Sequence, residues 1–138
     1  MIIVVIIVAA AAAVGDLYVS SFSSPPSSGA NITCSSQPNS SAIQIAITKG
    51  ASNSANGPGY APDSITLVIG NNNTVTWTND DSVHHTVNTS SAPTGAAFNS
   101  GNMNQGDTYT CTFTMPGTYQ YYCVYHAWMT GVIVVKGA

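Results

Sequence analysis

At 138 residues the chain is long enough for one domain with a modest core plus an appendage. Two cations, Lys49 and Lys136, stand against five acidic residues, for a net charge of −3, so no basic patch exists to hold nucleic acid. Ser, Thr and Asn supply the surface polarity instead, and with Gly-rich turns and few helix formers after residue 25 they argue for an all-β body.

Residues 1–15, MIIVVIIVAAAAAVG, are uncharged and apolar. A secretory signal peptide would begin with a basic stretch, which is missing. A membrane anchor needs about twenty apolar residues, a length reached only by running past Asp16 through Phe22. The third reading is a mature, already trimmed chain whose apolar start packs in a helical bundle. Over residues 1–24 the segment resembles, in composition and without a motif, the N-terminal helix of archaeal type IV pilin-like subunits. That resemblance implies self-association in a filament core; membrane lipid is the competing environment.

Residues 25–41 are rich in Ser, Pro and Gly and read as a linker between this helix and a domain over 42–138, with Cys34 marking one pinned point. Ile43, Ile45 and Ile47 alternate with polar or small residues as a half-buried strand, and Ile65, Leu67 and Ile69 form the next alternating set. Val75 and Trp77 continue a strand into Asn79. Val83, His85 and Val87 share one face, with His84 on the other. Residues 88–105 read as a long polar loop. Tyr109, Cys111 and Phe113 alternate before the turn at Met115-Pro116-Gly117; Tyr119, Tyr121 and Cys123 share a face, and Val132–Val135 close the chain. Short strands at this spacing predict a β-sandwich or barrel.

The chemistry concentrates near the C-terminus. Cys123, His126 and Met129 lie in Cys-Val-Tyr-His-Ala-Trp-Met, with His84-His85 about forty residues upstream. A thiolate, two imidazoles and a thioether are the donor set of a mononuclear blue-copper site, and soft sulfur disfavours magnesium, calcium or manganese. Face alternation favours His85 over His84 as the second imidazole. If Cys123 is a ligand, Cys34 and Cys111 remain and can pair as a disulfide, the alternative being two free buried thiols. Sequons begin at Asn31, Asn39, Asn72 and Asn88, candidate glycosylation sites that a Ser/Thr/Asn-rich chain also produces by chance. Asp80 and Asp81 read as turn residues that could also rim a docking face, and the Tyr119, Tyr121, Tyr122 and Tyr125 stripe as packing.

The stretches beginning at Tyr60, at Val75 and at Pro116, taken in order over residues 43–138, closely resemble the cupredoxins of plastocyanin and amicyanin type, particularly archaeal members. The resemblance implies a Greek-key β-sandwich preceded here by the hydrophobic helix, and one type 1 copper. It also implies that His85, which precedes Thr-Val as the family ligand does, joins Cys123 and His126, with Met129 as the weak axial donor. The implied activity is one-electron transfer to an unidentified redox partner at the cell surface or outside the cytoplasm. Acid should weaken the reduced site by protonating a histidine. A binuclear centre would need a second loop cysteine. A multicopper enzyme would need histidine beside Cys123, where Tyr122 and Val124 stand, and no catalytic triad or carboxylate pair is evident, so no enzyme activity is expected. The competing readings are a structural or adhesive filament subunit with an idle metal, and a copper reserve.

Overall fold

A computed structural model of the chain describes residues 31–138. The helix expected over 1–24 lies outside the described residues, as do 25–30 of the expected linker. Among the described residues the strands are β1 (Ile32–Ser35), β2 (Ile43–Ile47), β3 (Tyr60–Ala61), β4 (Ser64–Val68), β5 (Thr74–Asn79), β6 (Asn88–Ser91), β7 (Thr108–Phe113), β8 (Gly117–Cys123) and β9 (His126–Lys136), with one 3-10 turn at Ser54–Asn56. They form a five-stranded sheet ordered β1-β7-β5-β2-β3 and a four-stranded sheet ordered β4-β9-β8-β6. The pairs β2–β5 and β4–β9 are parallel, and the others are antiparallel.

Period-two alternation sends one face of each sheet into a shared core. Val75 and Trp77 of β5, Cys111 and Phe113 of β7, and Tyr119 and Tyr121 of β8 all lose essentially all contact with solvent. Trp77 is the hub: its ring meets Tyr121 edge-on at 5.5 Å and lies 5.8 Å from Phe98 and 5.9 Å from Tyr109. Tyr121 reaches this position because its cross-strand partner is Gly131. A Cβ at 131 would collide with the Tyr121 ring, so any larger residue there would drive the ring out of the core.

Three sequence expectations change. Ile32–Ser35 is a strand, so the Ser-rich segment from residue 32 belongs to the sandwich and is not a free linker. Cys34 stands directly opposite Cys111 and is joined to it by a disulfide. Beyond β1 the backbone crosses the outer face of the sheet, where Thr108 and Thr110 donate to the carbonyls of Ser36 and Gln37 at 2.9 and 2.7 Å. Outward-facing Thr76 is thereby 1 % exposed, covered by polar chain instead of apolar side chains. Second, Asn88–Ser91 is an edge strand on β8 within what reads as a loop; its Asn-Thr-Ser-Ser sequence has no apolar alternation to announce it. Third, Val83 does not share a buried face with His85 and Val87, because residues 80–87 hold no regular strand and Val83 is 40 % exposed.

Candidate metal centre

The last strand begins earlier than its apolar residues suggest. β9 starts at His126, paired with Cys123, so Val124-Tyr125 is a two-residue hairpin turn and the Cys-x-x-His-x-x-Met segment is mostly strand. Cys123 ends β8 with its thiol fully buried, and strand geometry then carries Met129 to a fully buried position on β9.

The opposing imidazole comes from the irregular segment after β5. His85 exchanges two backbone hydrogen bonds with Met103, at 3.1 and 2.9 Å. Asn79 secures the intervening loop. Its side-chain oxygen accepts from the Asp81 amide, and its side-chain nitrogen donates to the carbonyls of Val83 and Met103. The backbone thus turns His85 inward, 0 % exposed, and leaves His84 outside against the Tyr125 ring.

The donor atoms of His85, Cys123 and His126 lie within 4.8 Å of one another. Cys123 Sγ is 3.7 Å from His85 Nδ1 and 3.6 Å from His126 Nδ1. The sulfur accepts a hydrogen bond from the Thr86 amide at 3.4 Å, and the Thr86 hydroxyl accepts from the Val124 amide at 3.0 Å. One backbone N–H is thus already aimed at the buried sulfur. A cysteine sulfur, two imidazoles and a buried thioether three residues beyond His126 fit copper as a donor set.

Asp81 is not the surface turn residue its sequence context suggests. It is 4 % exposed and accepts from His85 Nε2 at 2.9 Å. The same carboxylate accepts from the amides of Gly50, Ser52 and Ser82. Burial alone would raise its pKa; the hydrogen bonds from His85, Gly50, Ser82 and Ser52 outweigh that and lower it to about 2. The carboxylate therefore accepts from Nε2–H, and Nδ1 is the ring nitrogen of His85 that faces the Cys123 sulfur. Because this pKa is depressed on folding, the stability it supplies is complete above the ordinary carboxylate value near 4 and is lost as pH falls toward 2. For His126, by contrast, burial itself lowers the pKa, which keeps that ring neutral further into acid.

Tyr60 is 1 % exposed and donates from its hydroxyl to the Thr86 carbonyl at 2.6 Å. Burial raises its pKa far above the ordinary phenol value. The exposed large hydrophobics among the described residues, Val83, Val124, Tyr125 and Trp128, all lie on the two segments that carry the candidate donors. Trp128 stands 5.1 Å from the half-buried His126 ring and donates to the Ala51 carbonyl. Among the sequons, Asn39 and Asn72 are exposed, with their side-chain oxygens accepting from the amides of Ser41 and Val68. Asn31 commits its amide nitrogen to the Thr94 carbonyl, and Asn88 is half-buried.

Residues 50–136 match the family of copper binding proteins described as plastocyanin/azurin. The chain is similar to amicyanin-alpha of Methylorubrum extorquens, 40 % identical over 63 residues that make up 45 % of this chain and 53 % of that protein. To amicyanin of Paracoccus denitrificans it is 39 % identical over 64 residues, 46 % of this chain and 49 % of that one. The chain thus spans about half the length of the curated relatives it matches. Among solved structures, a purple cupredoxin from Nitrosopumilus maritimus aligns with a TM-score of 0.58 at 38 % identity, covering 68 % of this chain and 99 % of that one. A reduced amicyanin variant aligns with a TM-score of 0.61 at 28 % identity, over 77 % of this chain and 99 % of that one.

Proposed function

The chain belongs to the plastocyanin/azurin family of copper-binding proteins, and from that premise we propose that it is an extracytoplasmic one-electron carrier. His85, Cys123 and His126 would hold its single type 1 copper, with Met129 as the weak axial donor. The observation that carries this reading is the convergence of a buried thiol and two imidazole nitrogens within 4.8 Å. Copper bound there supplies a one-electron couple between its cuprous and cupric states.

The chain's own residues supply rigidity and exclusion of water. Asp81 fixes the His85 ring and Met103 its backbone, Thr86 fixes the Cys123 turn, and the Tyr60, Tyr121 and Trp77 rings pack against one another in the core. A donor set that cannot rearrange keeps nearly the same geometry in both oxidation states, which keeps reorganisation small. His126 is the half-exposed donor, and Val83, Val124, Tyr125 and Trp128 form an apolar rim on which a redox partner would dock. The Cys34–Cys111 disulfide supports an oxidising compartment, and exposed Asn39 and Asn72 are the sequons best placed for glycosylation there. β1 pairs with the Phe113 end of β7, remote from the metal end of the sandwich. A chain entering at that pole suits tethering through residues 1–24, in membrane lipid or a filament core, with the metal end facing away.

Voltammetry of the copper-loaded protein should show one reversible one-electron wave. A loaded protein with no reversible couple contradicts the carrier reading. Asp81→Asn should lower copper affinity about 10–100-fold, as loss of an outer partner of a metal-bound histidine does. Four N–H donors surround the Asp81 carboxylate, so the asparagine amide must turn its own donor toward one of them. Competitive copper titration reads the change, and an unaltered affinity would mean that the carboxylate does not hold the ring.

A further inference from the structure

Gly59 precedes β3 with φ of +80°, a left-handed conformation that side chains rarely adopt. A Cβ at this position would lie 2.6 Å from Met129 Cγ, 3.0 Å from its Cε and 3.1 Å from its Sδ. The bare backbone is therefore the wall against which the thioether rests. That wall is fixed from both sides. The Gly59 carbonyl accepts from the Thr48 amide at 2.9 Å, and the adjoining Tyr60 is held by its hydrogen bond to Thr86 and by the Tyr121 ring at 4.9 Å. Thr86 is also the residue that holds the Cys123 sulfur and the turn after it. The support of the thioether and the support of the thiolate are joined through Tyr60 and Thr86.

A methionine side chain has three rotatable bonds and adapts to whatever space it is given. A weak axial donor gains little from its own bond, so the surrounding packing must set where it stands. We infer that Gly59 is a positioning residue for Met129: its missing side chain fixes the place of the thioether and so tunes how strongly that sulfur bears on the metal. This rests on the proposal that Met129 is the axial donor.

Gly57 provides an internal control. Its φ of +98° and ψ of −162° place it in a region open essentially to glycine alone, but a Cβ there would meet nothing within 4 Å. Gly57→Ala therefore carries backbone strain without the contact, whereas Gly59→Ala carries both. In metal-free protein, the Met129 methyl resonance should move in Gly59→Ala and stay at its wild-type position in Gly57→Ala. In a thermal-unfolding cycle with Met129→Ala, the destabilisation by Gly59→Ala should shrink once the thioether is removed, and that by Gly57→Ala should not. Should Gly59→Ala alone fail to fold, rescue by Met129→Ala carries the same conclusion, and absence of rescue overturns it. In copper-loaded protein, Gly59→Ala should change the ratio of the visible absorption bands and the reduction potential, and Gly57→Ala should change neither. A Gly59→Ala protein matching wild type in methyl resonance, spectrum and potential overturns the inference, as does an equal change in Gly57→Ala. Failure of the wild-type protein to take up copper would count against the carrier reading instead, and the metal-free cycle would still decide the role of Gly59.

Discussion

Cys123→Ser is expected to abolish the intense visible absorption of the copper-loaded protein and to lower its copper affinity by more than ~100-fold. Removing even an outer partner of a ligand costs about 10–100-fold, and here the soft donor itself is replaced by a harder, neutral hydroxyl. The fold should survive. Serine is nearly isosteric, its oxygen can still accept from the Thr86 amide, and the β8–β9 register does not depend on the sulfur. The check is paired: circular dichroism and thermal unfolding of metal-free protein, then copper titration followed in the visible. If the variant keeps the band, Cys123 is not the sulfur donor. If it is unfolded before metal is added, the thiol is serving the core and its role at the metal must be read from another substitution.

The second large effect concerns the disulfide. Cys34 and Cys111 are separated by 77 residues in sequence, so the bridge closes most of the described domain into one loop. The loop-closure argument assigns such a bridge about 4 kcal/mol, largely through restriction of the unfolded chain. For a domain of this size that corresponds to a drop in Tm on the order of 15 °C. Alanine at both positions is the better test, since Cys111 is fully buried and a serine there would add an unsatisfied hydroxyl. A double-alanine protein that unfolds within about 1 kcal/mol of wild type would show that the β1–β7 pairing and the Thr-to-carbonyl bonds over Ser36 and Gln37 hold the N-terminal edge without the bridge. The copper band should be little affected, because the disulfide lies in the β1–β7 pair and the donors come from β8, β9 and the loop after β5.

The donor set is local chemistry, which is why Cys123, His126 and Met129 stand out in a single seven-residue segment. His85 is a different case. Face alternation picks it over His84, yet the alternating strand on which that reasoning rests is absent. Val83 is exposed, and His85 points inward because its backbone pairs with Met103 and its ring meets Asp81. Asp81 itself is read as a turn residue because an Asn-Asp-Asp-Ser loop looks the same whether its carboxylate faces water or a histidine. Its position four residues before His85 was the available signal. The Ser-rich segment is misread for a related reason. Composition records hydroxyls but not that the carbonyls of Ser36 and Gln37 will meet a row of threonines; the alternation Ile32-Thr33-Cys34-Ser35 was the clue to β1. Gly59 and Tyr60 meet Met129 and Thr86 only through long-range contacts, and no local pattern signals such a contact.

The claim on which everything else depends is that His85, Cys123 and His126 form one copper site. Stepwise addition of copper(II) to metal-free protein, followed by visible absorption and electron paramagnetic resonance, tests it most directly. The expected result is an intense sulfur-to-copper absorption that grows to a sharp end point at one equivalent, with a single cupric signal of the narrow-hyperfine type. A protein that stays colourless, or takes up copper without a stoichiometric end point, would contradict it.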